Sequence, residues 1–385
     1  RFPRCVRARE RARQAMNGAP YLLAAVCARA LAHSAVRAGL PVVALDLFDD
    51  ADTRQATIAS RRVAAGRALK FARKRLIAAA DELAPAHACA GVVYGSGFEA
   101  EPALLAALSA NRKLYGNAPD TLGLVKQPAS FFGLLDRCSI PHPEVSLKKP
   151  ARAGGWLAKR AGGAGGVHVR WAEGLSKAGE YYQRYETGKP MSALFLADGK
   201  RARVIGFSEQ WMREAPYSFC FGGAASHADL PQAVRSSVED AIARLTVEAG
   251  LVGLNGLDFL VKGETFSVLE LNPRPTSTLD LYDAEYPQGL FYWHLRACEG
   301  VLPVSSSSPN RIRAHSIVFA LRLTRVATGM RWPAWVTDRP RPGAMIWTGA
   351  PICTVHGEAA TRPAVSRLIA ERRAAIEGML ARRAA

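Results

Sequence analysis

The 385-residue chain carries 51 Lys and Arg against 33 Asp and Glu, a formal charge of +18, with 49% hydrophobic residues and a mean hydropathy near zero. That length exceeds what one hydrophobic core usually serves, so two or three domains are expected, and no apolar run reaches the roughly 18 residues of a membrane span. The basic excess is spread as Arg through Ala-rich stretches without interleaved aromatics, which disfavours nucleic acid as a partner, and seven cysteines and eight histidines without Cys-x-x-Cys or His-x-x-x-His spacing argue against structural zinc or a disulfide framework and for a cytoplasmic protein.

Arg1 to Ala15 hold six arginines and one acid, and residues 1–17 read as a disordered extension, arising from an upstream translation start, with a transit-like peptide as the alternative. Tyr21–Val26 reads as a buried strand, Ala28–Ala38 as a helix and Pro41–Asp46 as a second strand, a βαβ start. Ligands bind such sheets at strand carboxyl ends, where Asp46, Asp49 and Asp52 would lie, so this domain is expected to supply part of an acceptor-substrate site. No Gly-x-Gly-x-x-Gly follows the first strand, so a dinucleotide site is not supported. Arg61–Leu83 reads as helix, and Ala88–Tyr94 as a strand ending in a turn with Gly95 and Gly97.

A helix is expected over Ala129–Cys138, then a proline-bounded connection over Pro141–Pro150. Gly155 to Lys159 reads as a buried strand that delivers a lysine into a loop with Gly162, Gly163, Gly165 and Gly166, followed by a strand over Val167–Arg170. Four glycines in five positions let backbone N–H groups approach phosphate oxygens, with Lys159 as the point charge. The loop lacks the Gly-Lys-Ser/Thr ending of a P-loop. Strands are expected at Tyr181–Tyr185, Met191–Ala197 and Arg203–Met212, and a proline-started helix at Pro231–Gly250. Arg213–Asp229 between them is long for a connection and reads as a lid or substrate loop.

The stretch Gly256 to Arg274 reads as a hairpin. Residues two apart on a strand share a face, so Glu270 and Asn272 are co-facial, with Leu269 and Leu271 toward the core. A three-residue turn of Lys262, Gly263 and Glu264 would place Asp258 on the same face, whereas a two-residue turn would slip the register. Asp258, Glu270 and the Asn272 amide oxygen suit magnesium, and Arg274 suits phosphate or carboxylate oxygens; an ordinary solvated acidic face is the bland alternative. Downstream, Asp283–Gly300 reads as a helix with Trp293 and His294 in the core, Ser305–Pro309 as a linker, and the tail as strands over Ala314–Leu321 and near Met345 and Ile352, with a last helix from Arg362. Cys353 reads as buried rather than nucleophilic.

Taken together, the lysine-to-glycine-loop element and the acidic hairpin, in this order, resemble the ATP-grasp superfamily over about residues 120–300. The resemblance implies that ATP is clamped between two α+β subdomains, with Lys126 and Lys159 as the phosphate-binding lysines and Asp258, Glu270 and Asn272 holding Mg, or Mn in its place. Arg274, with Lys159, would act on the transferring group. Gln183, Tyr185 and Glu186 would lie at the hinge that meets adenine, and Pro190 stands where many relatives carry a ribose-binding acid. A narrower resemblance, to biotin-carboxylase-related ATP-grasp proteins associated with tetrahydromethanopterin-linked C1 metabolism, rests on Asp46–Arg54, Gly91–Glu99, Lys159–His168, Trp335–Gly343 and Pro351–Val355.

The fold expected from this resemblance combines α/β and α+β parts. It comprises a Rossmann-like pre-ATP-grasp domain over 18–118, a two-subdomain ATP-grasp fold over 119–302 and a small β-rich C-terminal domain with a terminal helix over 310–385. The activity implied is an ADP-forming ligase that activates a carboxylate as an acylphosphate for attack by an amine or thiol, in C1-carrier cofactor biosynthesis of methanopterin or furan type. The alternatives are a biotin-carboxylase-like enzyme, which would need a separate carrier since no Met-Lys-Met motif is present, and a non-catalytic Mg-ATP-binding protein. Partners would be small-molecule carboxylates and amines; the oligomeric state stays open, a homodimer included.

Overall fold

The computed structural model describes residues 18–66, 69–213, 219–304 and 311–382. Short Val, Leu and Ala runs with few polar interruptions form a parallel sheet buried on both faces, as such sheets require. Its strands are Tyr21–Ala24 (β1), Val42–Asp46 (β2), Ala59–Arg62 (β3), Gly91–Tyr94 (β4) and Leu114–Tyr115 (β5), in the order β3-β2-β1-β4-β5. Leu22, Val43 and Val92 pack with Leu76, Phe98 and Leu104. Leu23, Ala44 and Val93 share the other core with Leu31 and Phe291, so this Rossmann-like unit is joined to the chain downstream through apolar burial.

A four-stranded sheet follows, with Val145–Ser146 (β6), Trp156–Arg160 (β7), Arg170–Trp171 (β8) and Glu180–Arg184 (β9) in the order β6-β9-β7-β8. The large sheet begins with Lys189–Asp198 (β10), Ala202–Met212 (β11), Phe221–Ala225 (β12), Val252–Lys262 (β13) and Thr265–Asn272 (β14). The C-terminal region adds Ile312–Phe319 (β15), Thr324–Arg325 (β16), Val336–Thr337 (β17), Met345–Ile346 (β18) and Pro351–Ala359 (β19). Eight strands run as β14-β13-β10-β11-β12-β15-β19-β17, while β16 and β18 pair apart, so the small β-rich region continues the large sheet through β12 and β15. Helix Gln232–Ala249 buries Val234, Val238, Ile242 and Leu245 against Phe195, Phe207 and Phe259, and Gly250 ends it in the left-handed conformation. Helix Arg362–Arg382 packs Val365, Ile369 and Ile376 in the core formed with β15 and β19. Among the described residues no helix is long and apolar enough to cross a membrane.

Several expectations are corrected. Helix over Arg61–Leu83 is replaced by β3 and a helix at Arg73–Leu83, because parallel pairing of Ala59–Arg62 with β2 overrides local propensity. Of the expected Val167–Arg170 strand only Arg170 lies in β8. The lid reading of Arg213–Asp229 fails at Phe221–Ala225, where a Gly- and Ala-rich segment pairs with both β11 and β15; a Cβ at Gly223 would lie 2.3 Å from the His315 carbonyl oxygen. Residues 214–218 of that segment, like 1–17 and the Ser305–Pro309 linker, fall outside the described residues. The Asp283–Gly300 helix is broken: Gly289, at φ +74°, starts Gly289–Cys298, and Asp283 accepts from the Leu290 N–H at 2.7 Å.

Candidate nucleotide and carboxylate site

The hairpin of β13 and β14 places Asp258 directly opposite Glu270, by a route different from the expected one. Lys262 pairs with Thr265, so the turn has two residues, and carried through unchanged that register would set Asp258 opposite Leu269. A β-bulge between Asp258 and Phe259 shifts the pairing by one residue and restores the acidic pair. Leu269 is the extra residue, and it lines the pocket instead of facing the core, which is filled by Val268 and Leu271.

Around the acidic pair the polar groups form a closed network. The Asn272 amide nitrogen donates to Asp258 at 2.9 Å and to Glu270 at 3.2 Å. Its oxygen accepts from Lys126 at 3.0 Å and from Arg274 at 3.2 Å. The amide oxygen therefore faces the cations, not the gap between the carboxylates as expected, because four charges orient a dipole lying between them. A rotation of the amide would exchange the two ends. Gln210 also donates to Asp258, at 3.0 Å, and Lys126 lies 3.6 Å from Glu270. Burial and then the Glu270 charge raise the Asp258 carboxyl, which makes it the proton-retaining partner. Burial would raise Glu270 as well, but Lys126 and Lys159 together pull it below the usual carboxylate range.

Lys126 ends helix Pro119–Lys126 and is 9% exposed; Lys159, next to the end of β7, is 8% exposed and donates to Gln183 Oε1 at 3.0 Å. Gln183, on the adjacent β9, is buried, and its Nε2 has no hydrogen-bond partner among the described residues. Such an amide is poised for an external acceptor. Tyr185 is exposed and packs its ring on Trp171 at 5.0 Å, so its side chain belongs to the rim, and Glu186 is half-buried in the connection to β10. Pro190 pairs with Leu260 across β10 and β13.

The glycine-rich loop is seated on its surroundings at two points. A Cβ at Gly162 would lie 2.6 Å from Ala100 Cα, and one at Gly166 would lie 1.7 Å from the Phe219 carbonyl oxygen. Gly162, Gly165 and Gly166 all have positive φ, and the His168 ring packs under Gly163. The cavity left between loop, Lys126, Phe131, His168 and Glu270 is about 20 Å³, room for about one water.

Arg274 is anchored by a residue that motif reading missed. Its Nε donates to Glu99 at 2.5 Å, and Glu99 also accepts from the Gly97 N–H. Burial would raise Glu99, but Arg274 and Lys126 hold it below its ordinary value. The Tyr94 hydroxyl and the Asn117 amide donate to the Pro273 carbonyl at 3.0 and 2.9 Å, fixing the segment before Arg274 to the first domain. Glu99 closes the Gly91–Glu99 stretch, and its signal was the unbalanced charge of a buried arginine. Asp46, Asp49 and Asp52 do not reach this site: Asp46 accepts backbone N–H groups of Ala28, Phe48 and Asp49, and Asp52 and Asp49 pair with Arg339 and Arg341.

Residues 130–278 match the family model described as an ATP-grasp domain. The carbamoyl phosphate synthase large chain of Rubrobacter xylanophilus is 22% identical over 194 residues, covering 44% of this chain and 18% of that protein, so the chain spans less than a fifth of this relative. Biotin carboxylase from Campylobacter jejuni, solved with β-γ-ATP, superposes with a TM-score of 0.70 at 15% identity, covering 89% of this chain and 88% of that one. The L-amino acid ligase of Bacillus licheniformis gives 0.66 at 14% identity, covering 92% and 96%. Residues 130–278 thus match an ATP-grasp domain, within a chain whose overall fold is similar to that of biotin carboxylase.

Proposed function

We propose that the chain uses Mg-ATP to activate a carboxylate as an acylphosphate, and that the acid is small, of the bicarbonate type. The observation that carries the reading is the convergence of Asp258 and Glu270 with Lys126, Lys159 and Arg274 beneath a glycine-rich loop. The donor set fits the cofactor: two carboxylates and an amide suit a hard divalent ion, the orphaned Gln183 amide suits a base edge, and at Gly162, Gly163 and Gly166 a Cβ would run into Ala100, His168 or Phe219, so the loop can sit this close only as glycine. When bound between Asp258, Glu270 and Asn272, magnesium supplies charge neutralisation for the transferring phosphoryl group.

The chain's own residues supply positioning, since phosphoryl transfer asks little covalent chemistry of the protein. Lys126 and Lys159 would exchange their present partners, Asn272 and Gln183, for phosphate oxygens. Arg274 keeps Nε on Glu99 and would turn its terminal nitrogens to the acid, giving the two-pronged contact that orients a carboxylate. Closing the loop onto Ala100 and Phe219 excludes water from the acylphosphate.

The fold likeness to biotin carboxylase supports the bicarbonate reading, in which biotin would come from a carrier not contained in this sequence. An amine acceptor is the second reading, favoured by the end-to-end match to an amino acid ligase. The C1-carrier role rests on the sequence resemblance alone. Mg-dependent ADP release separates the readings: stimulation by bicarbonate alone supports the first, a joint requirement for a carboxylate and an amine supports the second, and nucleotide binding without turnover under either pool overturns both.

A further inference from the structure

Three of the sequence stretches singled out above take no part in the nucleotide site, and they converge elsewhere. Asp46–Arg54, Trp335–Gly343 and the strand beginning at Pro351 meet where the first domain, the segment after Arg274 and the C-terminal strands join. Arg29 sits at the centre. It makes a two-pronged contact with Asp280 at 2.7 and 2.5 Å and donates to Asp338 at 2.9 Å. Cys27 lies 3.3 Å from Asp338, whose backbone has φ +55°, an uncommon state for a non-glycine residue held by its surroundings. Two carboxylates on one guanidinium leave the junction with a negative excess.

Beside this pair stand two histidines. Asp280, His315 and His356 each offer a ligand atom, and these atoms lie within 4.8 Å of one another. His315 is 2% exposed, and its Nδ1 has no hydrogen-bond partner among the described residues. A ring nitrogen buried without a partner is costly unless something binds it. His356 Nε2 is 2.7 Å from the Thr337 hydroxyl, which orients the ring. Asp280 is oriented by Arg29 in the same way. Burial keeps both imidazoles neutral, the form that ligates.

We propose that Asp280, His315 and His356 form a binding site for an imidazole-preferring divalent transition-metal ion, of the zinc class, distinct from the magnesium site at Asp258 and Glu270. Two imidazoles and one carboxylate select such an ion over magnesium, which prefers oxygen throughout. Metal–ligand bonds of about 2.0–2.2 Å put ligand atoms roughly 3.3 Å apart, so the side chains close by an ångström or so around the ion. Three protein ligands leave a fourth position for water or a substrate group. The ligands are 35 and 41 residues apart in sequence (315 − 280 and 356 − 315), so no spacing motif announces them and the expectation against zinc, drawn from local patterns, does not reach them.

The test uses the full chain, stripped with chelator and re-equilibrated against Zn²⁺ by dialysis, with metal content and thermal unfolding measured together. Wild type should retain about one Zn²⁺ per chain in the presence of excess Mg²⁺ and gain thermal stability from it. His315→Ala and His356→Ala should each bind Zn²⁺ roughly 100-fold or more weakly and lose that gain, with Glu270→Gln unchanged in zinc content. Zinc binding retained in both histidine variants overturns the proposal, as does loss in Cys27→Ser alone, which would move the ion to Cys27, Asp50 and Asp338. Should a histidine variant fail to fold, Co²⁺-loaded wild type decides: ligand-field bands without a thiolate-to-cobalt band support the site, and a thiolate band or no ligand-field bands overturns it.

Discussion

The acidic hairpin and the Arg29 junction are both buried charge clusters, but they are built in opposite ways. Asp258, Glu270 and Asn272 come from two strands joined by a two-residue turn, and their spacing is set by pleat and bulge. Arg29, Asp280, Asp338, His315 and His356 come from separate regions, Arg29 and Asp338 being 309 residues apart. Local assembly lets the hairpin hold like charges close together, because backbone hydrogen bonds fix the strands regardless. At the junction His315 and His356 are paired across β15 and β19, and Arg29 links this sheet to Asp280 and the first domain through side-chain charge pairs. The hairpin charges should therefore matter for turnover and the junction charges for stability.

The largest effect that would expose this division is on turnover. Glu270→Gln and Lys159→Ala should each lower ADP formation by about 10³-fold or to background, the scale expected when a preorganised charge in a dry site is removed. Their thermal unfolding midpoints should stay close to wild type, since neither residue joins domains. Near-normal ADP release from either variant, read in a coupled assay, would refute the assignment of this cluster to phosphoryl transfer.

At the junction the expectation inverts. Arg29→Ala leaves the half-buried Asp280 and Asp338 without their cation, a change that costs about 3 kcal/mol of stability. Urea denaturation measures it, and a shift of under 1 kcal/mol would show that the junction is not what holds the C-terminal strands to the first domain.

This difference also governs how much could be read from the sequence. Period-2 alternation suffices to put Glu270 and Asn272 on one face of the hairpin, and the glycine spacing suffices to suggest a phosphate loop. The turn is a residue shorter than alternation suggests because a bulge at Leu269 compensates it, and a bulge leaves no mark in alternation that a longer turn would not also leave. Phe221–Ala225 lies in a segment whose length suggests a loop, whereas its glycines admit Trp211 and a neighbouring strand. Glu99 and the Arg29 cluster stayed hidden for a different reason. Each is a solution to a charge left unbalanced by another segment, and one sequence does not specify which distant residue answers it.

The glycine-rich loop lies between these extremes, a local motif with non-local seats. Gly162→Ala introduces a methyl group against Ala100 and a strained φ, so the closed loop should be disfavoured and KM for ATP should rise about 10-fold, by the roughly 1–3 kcal/mol that overpacking costs. Gly154→Ala, with open space around it and no positive φ, is the matched control and should leave KM unchanged. Equal KM values for the two variants would mean that the contact with Ala100 is not part of closure.

The smallest effect concerns His294, which ties the hairpin base to the first domain without any charge. Its Nδ1 accepts from the Leu254 N–H at 2.9 Å, and its Nε2 lies 3.0 Å from the Tyr115 carbonyl, so the ring is neutral with its proton on Nε2. Burial lowers its pKa from 6.5 to about 4. A second proton would have to sit on Nδ1, facing an N–H that already donates there. Because the folded value lies below the unfolded one, the stabilisation is complete above pH 6.5 and is lost as pH falls toward 4. Wild type should lose thermal stability across that window, and His294→Asn, less stable at neutral pH, should show a flatter acid limb. Parallel pH profiles for the two proteins would mean that His294 does not titrate on unfolding, and that the link between hairpin and first domain is carried by Tyr94 and Asn117 at Pro273 instead.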